Sequence, residues 1–291
     1  MNNTSKEEII NQAFKFHSQE NITEAAKYYQ NFINKGFKDH RVFSNYGVIL
    51  KNIGKLQEAE LSYRKAIEIK PDFADAHSNL GILLKALGKL KDAELSTRKA
   101  IELNPYFTDA YLNLGTILRD LGKLQEAEKC LKKAIELSPD FAKAHSNLGN
   151  ILKDLGKLEE LIILSKSTLK LRSINKGYKL RASLLITIAN LLQKNYEETL
   201  LNLNTSKELI SQGAINNIKN AKNRKFTYTF FKFISSLYPL LNTENKNPNL
   251  EKIPHIGESH CLSFAHQILS ISSQFKQIQP VLIMGGKAWH F

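Results

Sequence analysis

Residues 74–107 read ADAHSNLGILLKALGKLKDAELSTRKAIELNPYF, and the pattern returns along the chain at a fixed step. Gly81 has counterparts at Gly47, Gly115 and Gly149, each 34 residues from the next. Gly54, Gly88, Gly122 and Gly156 keep that step. So do Ala59, Ala93 and Ala127, then Ala66, Ala100 and Ala134, then Pro71, Pro105 and Pro139. A constant period of this length marks an array of small structural repeats.

Each repeat reads as two helices. Ala76, Leu80, Leu83, Leu84 and Leu87 fall at helical spacing in the first half. Gly88 ends that helix, because glycine accepts the left-handed cap conformation without steric cost. Leu90, Ala93, Leu95, Ala100, Ile101 and Leu103 are the apolar positions expected to carry the second helix. Pro105 stops it, since the residue before a proline is pushed out of the helical region. Gly81 and Ala93 are expected where the two helices approach closely. One such hairpin cannot bury its apolar face alone, so neighbours must stack into a solenoid.

These residues resemble the tetratricopeptide repeat. The Leu-Gly pairs at 80–81, 114–115 and 148–149, the second-helix alanines and the terminal proline all fall in its register. Five units are expected, at 6–39, 40–73, 74–107, 108–141 and 142–175. The first lacks the glycines but keeps Ala13, Phe16, Ala25, Tyr29 and Phe32. The last decays, with Leu161, Thr168 and Ser173 in place of the two alanines and the proline. The expected fold is all-α: a superhelix of helix-turn-helix repeats with a helical extension over residues 176–241. A linker over 242–251 and a small incomplete α/β remnant over 252–291 complete it.

Charge is uneven. The chain carries a formal net charge of +13. Residues 1–175 hold 27 Lys and Arg against 22 Asp and Glu, and residues 176–291 hold 14 against 6. Lys219, Lys222, Arg224 and Lys225 form a basic cluster. Such a cluster fits nucleic acid or an acidic surface, yet no nucleic-acid motif accompanies it, and a solvated helix end is the preferred reading. Cys130 and Cys261 lie far apart, with neither a disulfide framework nor metal-ligand spacing. No metal or cofactor is expected. The polar first thirty residues argue against a signal peptide, and no run is apolar enough to span a bilayer, so a cytoplasmic location is expected.

Residues 178–203 are expected to form one or two helices covering the solenoid end, with Ser206 capping another through residue 217. Residues 226–241 read as an aromatic-rich helix. Residues 252–256 then read as extended, 261–270 as a helix and 280–284 as a buried strand. Strand, turn, helix and strand together suggest the opening of a parallel sheet. Gly257-Glu258-Ser259 resembles the first block of the SGNH/GDSL hydrolases, with Glu258 departing from the usual aspartate. The resemblance implies Ser259 as nucleophile and Gly285 or Gly286 as oxyanion glycine. The asparagine block and late Asp-x-x-His of that family are missing, so no catalysis is expected; the bland reading is that Ser259 caps a helix. The remnant reads as a domain cut short; with an exposed strand edge, the tail is expected to be poorly ordered alone, to dock against residues 226–241, or to make the protein self-associate.

The sharper candidate is the face of the first helix opposite its core. With the signature glycine as repeat position 8, positions 2, 5, 6, 9, 12 and 13 share one side at about 100° per residue. Position 6 is Asn45, Asn79, Asn113 and Asn147, and position 12 is Lys51, Lys85, Arg119 and Lys153. A ladder of amides can pair with an extended backbone whatever its side chains. The cations would favour acidic segments. The asparagine ladder resembles that of protein O-linked N-acetylglucosamine transferases, whose repeat asparagines hold peptide backbone. The alternative is that duplication merely copied solvating residues. The expected function is a non-enzymatic scaffold for an extended or acidic peptide of a protein partner. The runner-up is the substrate-presenting part of a truncated hydrolase- or glycosyltransferase-like enzyme.

Overall fold

The structure is a computed structural model that describes residues 5–193, 195–218, 282–284 and 287–289. It divides into two compact units, one ending at Ser138 and the other beginning at Pro139.

The first unit holds eight helices in four hairpins. They are α1 (Lys6–Ser18) with α2 (Ile22–Asn34), α3 (His40–Asn52) with α4 (Leu56–Ile69), α5 (Ala74–Ala86) with α6 (Leu90–Leu103), and α7 (Thr108–Asp120) with α8 (Leu124–Leu137). Side chains start the early helices. Ser5 and Glu8 form a reciprocal capping box on α1, Asn21 caps α2 and Asp39 caps α3. Inside each hairpin the turn is a Schellman motif. Lys89 donates its backbone N–H to Leu84 at 2.9 Å and Gly88 to Lys85 at 3.0 Å, with Gly88 at φ +75°. Gly54 and Gly122 repeat the geometry, and Glu20 adopts it at φ +57° without being a glycine.

The signature glycines are spacers. A Cβ on Gly81 would stand 2.1 Å from the Thr97 hydroxyl, and one on Gly115 would stand 2.7 Å from Leu131. The expected helix contact at both glycines is therefore present. Ala59, Ala93, Ala127, Ala66, Ala100 and Ala134 are fully buried, which lets each second helix lie close to its partner. Leu83, Leu84, Ile117 and Leu118 are buried between hairpins. Each such side chain contributes about 1.5–3 kcal/mol by leaving water.

Two expectations about burial need correction. Leu95, read as a core position, is 69% exposed, and Leu61 at the same place one repeat earlier is 70% exposed. Both lie on the outer side of their helices. Repeat position 5, expected on the solvent side, is buried at Ser44, Ser78 and Leu112. The cause is that α5 packs against α3 and α7 as well as α4 and α6. First helices are covered on two flanks, so only a narrow strip stays open.

The second unit holds α9 (Ala142–Asp154), α10 (Leu158–Lys170), α11 (Lys176–Leu192), α12 (Tyr196–Ser211) and a short 3-10 helix, Ala214–Asn217. In α11, Leu180, Ile186 and Ala189 are fully buried, and the helix packs against α9, α10 and α12. A Cβ on Gly149 would stand 2.8 Å from Leu185 of α11, so this glycine accommodates the covering helix. Ser206 does not start a helix. It is buried inside α12, where its hydroxyl lies 2.8 Å from that of Ser183 and bonds the Asn202 carbonyl at 3.1 Å. Serine caps well because its hydroxyl competes for backbone groups, and here it meets that need within a helix interior.

Near the chain's end, β1 (Leu282–Met284) pairs antiparallel with β2 (Lys287–Trp289), and Leu282 faces Trp289. The sequence reading did not foresee this hairpin, and the parallel partner that it gave to residues 280–284, residues 252–256, lies outside the described residues. Two residues separate β1 from β2, a spacing that suits a tight antiparallel hairpin. Residues 219–281, with the basic cluster, the 226–241 helix, the linker and Ser259, lie outside the described residues.

Candidate functional site

In the first unit the strip left open by packing runs over α3, α5 and α7. Val48, Ile82 and Thr116, at repeat position 9, are half-buried and form its floor. The amides of position 6 stand on one side and the cations of position 12 on the other, about 120° apart around each helix.

The amides lean toward the preceding repeat. Asn113 donates from Nδ2 to the Ser78 hydroxyl at 3.3 Å. Asn45 hydrogen-bonds the Tyr29 hydroxyl, which also lies 2.9 Å from His17 Nδ1. Burial pushes the Tyr29 phenol up to about 12, against the opposing pull of the Asn45 bond. Burial likewise lowers His17 from its ordinary value, so the His17–Tyr29 pair beside Asn45 is polar and uncharged near neutral pH. Asn79 makes no hydrogen bond among the described residues, and all three amides are half-buried rather than fully open. Two of the three therefore have a structural partner as well as an open edge.

The cations lean the other way. Lys85 reaches Asp120 of the next repeat, with Nζ 3.1 Å from Oδ2, and Arg119 reaches the same carboxylate at 3.1 Å. Lys51 is half-buried, and no carboxylate among the described residues pairs with it. The cationic row is thus partly neutralised from within. Sequence reasoning missed Asp120 although its signal was present: position 13 shares the face with position 12 and reads Asn52, Ala86 and Asp120.

Asn147 and Lys153 stand on α9 in the second unit. Asn147 is half-buried, and Lys153 pairs with Asp154 beside it. At position 2, Arg41 is held by Asp39 at 2.8 Å and lies over the Phe14 ring. Asp75 and Asp109 are exposed.

The backs of the second helices carry a different ladder. Glu60 accepts from Lys89 of the next repeat at 3.0 Å and from Arg64 at 2.8 Å. Glu94 repeats this with Lys123 at 2.9 Å and Arg98 at 2.8 Å. The hydrogen bonds from Lys89 and Arg64 hold the Glu60 carboxyl below the ordinary carboxylate range. Cys130 is half-buried, and burial raises its thiol to about 11, as for an unreactive packing residue. Among the described residues no group of His, Cys, Asp and Glu is arranged to hold a metal, and no helix is long and apolar enough to cross a membrane.

Family models for the tetratricopeptide repeat match residues 47–88 and 115–156, 74–107, and 97–129. No curated protein matches the sequence. Among solved structures, YrrB, described as a TPR protein with an unusual peptide-binding site, is 22% identical over 67% of this chain and 100% of its own, with a TM-score of 0.55. MamA is 22% identical over 58% of this chain and 92% of its own, with a TM-score of 0.52. The MamA RS-1 ArsTM double mutant is 19% identical over 57% and 93%, also at 0.52. At such identity the likeness concerns the fold. The hydrolase resemblance of the tail gains no support from any of these matches.

Proposed function

Residues 47–156 carry tetratricopeptide repeats, and on that premise we propose that the chain is a protein-binding scaffold whose first unit holds an extended peptide along α3, α5 and α7. The observation behind this is the strip itself. Its floor is half-apolar, and Asn79 at its centre offers an amide with no hydrogen bond among the described residues. An amide donates and accepts, which suits a passing backbone independent of sequence. Packing on the floor would add affinity, and the side groups would choose among peptides. The peptide-binding site described for YrrB belongs to a chain of like fold and makes the same use of such repeats reasonable here.

The binding role is carried by position 6 in the first unit, with Asn79 as its most available member. The test is to select peptides from a displayed library of random 12-residue sequences on the full chain, then measure their affinity for Asn79→Ala. A loss of about tenfold at unchanged helicity supports the reading, since a lost hydrogen bond of about 1.4 kcal/mol gives that change. The enzymatic alternative depends on Ser259, outside the described residues, and no arrangement within them favours it.

A further inference from the structure

Lys51, Lys85 and Arg119 hold the same repeat position in three successive units, yet among the described residues only two of them have an acid. Asp120 serves both Lys85, from the repeat before it, and Arg119, from its own helix. Moving the Lys85–Asp120 pair back one repeat places residue 86 where Asp120 stands, and residue 86 is alanine. Ala86 is exposed, so the place its missing carboxylate would occupy opens to solvent. Lys55, on the same turn as the end of α3, is committed to Glu58 at 2.9 Å.

We propose that Lys51, beside the opening left by Ala86, is the strip's carboxylate receptor, and that the bound peptide supplies there the acid that Asp120 supplies to Lys85. The inference rests on the peptide-binding reading above. Its chemistry is a carboxylate on an extended chain, from an acidic side chain or from a peptide's C-terminus. Half-burial strips water from the Lys51 ammonium and lowers it below the ordinary lysine value, with no charge partner among the described residues to offset the loss. A cation desolvated without a partner gains more from an arriving anion than one already paired. Lys85, paired at 3.1 Å, gains little, so selectivity for an acid should fall at one repeat and not along the whole row.

The experiment uses the full chain and peptides selected on it from a random 12-residue displayed library. Wild type is compared with Lys51→Gln, Ala86→Asp and Lys85→Gln, each checked for unchanged helicity. The Ala86→Asp variant guards against a fold defect in Lys51→Gln, because it fills the opening with an internal acid and leaves the lysine. The expected result is enrichment of an acidic residue at one place in the peptide. Binding should fall about tenfold in Lys51→Gln and in Ala86→Asp, and change less than twofold in Lys85→Gln. Synthetic copies with Glu→Gln or with an amidated C-terminus identify which carboxylate is read; dependence on either supports the proposal. Peptides that bind through Asn79 but ignore Lys51→Gln and Ala86→Asp overturn it and leave the scaffold reading standing. Failure to enrich any peptide overturns both.

Discussion

Gly81 and Thr97 face each other across the α5–α6 hairpin so closely that a Cβ on the glycine would stand 2.1 Å from the threonine hydroxyl. That hydroxyl is fixed by its own bond to the Ala93 carbonyl at 2.8 Å, and Thr97 is fully buried. A methyl group at 81 must therefore displace a threonine that has no free space. Gly81→Ala is expected to lose about 1–3 kcal/mol of stability by urea unfolding. Gly81→Ala combined with Thr97→Ala should recover part of that loss, because the obstructing atom is gone.

Glu20 supplies the opposite case. It sits at φ +57° in the turn where later repeats place Gly54, Gly88 and Gly122. A side chain in the left-handed region costs about 1–2 kcal/mol, partly offset by the greater freedom of an unfolded glycine. Glu20→Gly is expected to raise stability by about 0.5–1 kcal/mol, and Gly88→Ala to lower it by about 1 kcal/mol. A thermal scan of both variants checks the pair of signs.

The amide ladder separates by partner. Asn113→Ala should cost about 1 kcal/mol, because the buried Ser78 hydroxyl loses its bond. Asn79→Ala, with no bond to lose among the described residues, should stay within about 0.5 kcal/mol of wild type. Equal losses at both sites would mean that Asn79 is structural too.

The ladder of Glu60 and Glu94 predicts a pH dependence. Hydrogen bonds from Lys89 and Arg64 depress the Glu60 carboxyl in the folded state below the model-compound value of 4.5. A depressed carboxyl contributes stability that is full above its unfolded value and disappears as pH falls through the folded one. Stability should therefore decline below about pH 4.5, and Glu60→Gln should show a shallower decline than wild type. Urea midpoints measured between pH 3 and 7, a range set about that carboxylate region, give the comparison.

Much of this was legible in the sequence. Gly81, Gly88, Ala93 and Pro105 recur because each holds a place where the hairpin leaves no alternative: a close approach, a left-handed turn, a tight packing seam and a helix stop. What escaped was everything that depends on the neighbouring hairpin. Ser78 looked solvent-facing on an isolated helix and is buried because α5 is flanked by α3 and α7. Leu95 looked like core and faces outward. Lys85 looked free, and its acid comes from residue 120 in the next repeat. Helical periodicity describes one cylinder, whereas burial in an array is set by several. The strand at 282–284 was visible as an apolar run, whereas its antiparallel partner at 287–289 was not read, because Lys287, Ala288 and Trp289 carry no apolar alternation of their own.

The central claim is that the strip over α3, α5 and α7 binds an extended peptide through Asn79. Calorimetric titration of a library-selected peptide into the full chain and into Asn79→Ala tests it most directly. The account predicts affinity about tenfold weaker in the variant, with the unfolding midpoint unchanged. Equal affinity in both proteins, at equal stability, would contradict it.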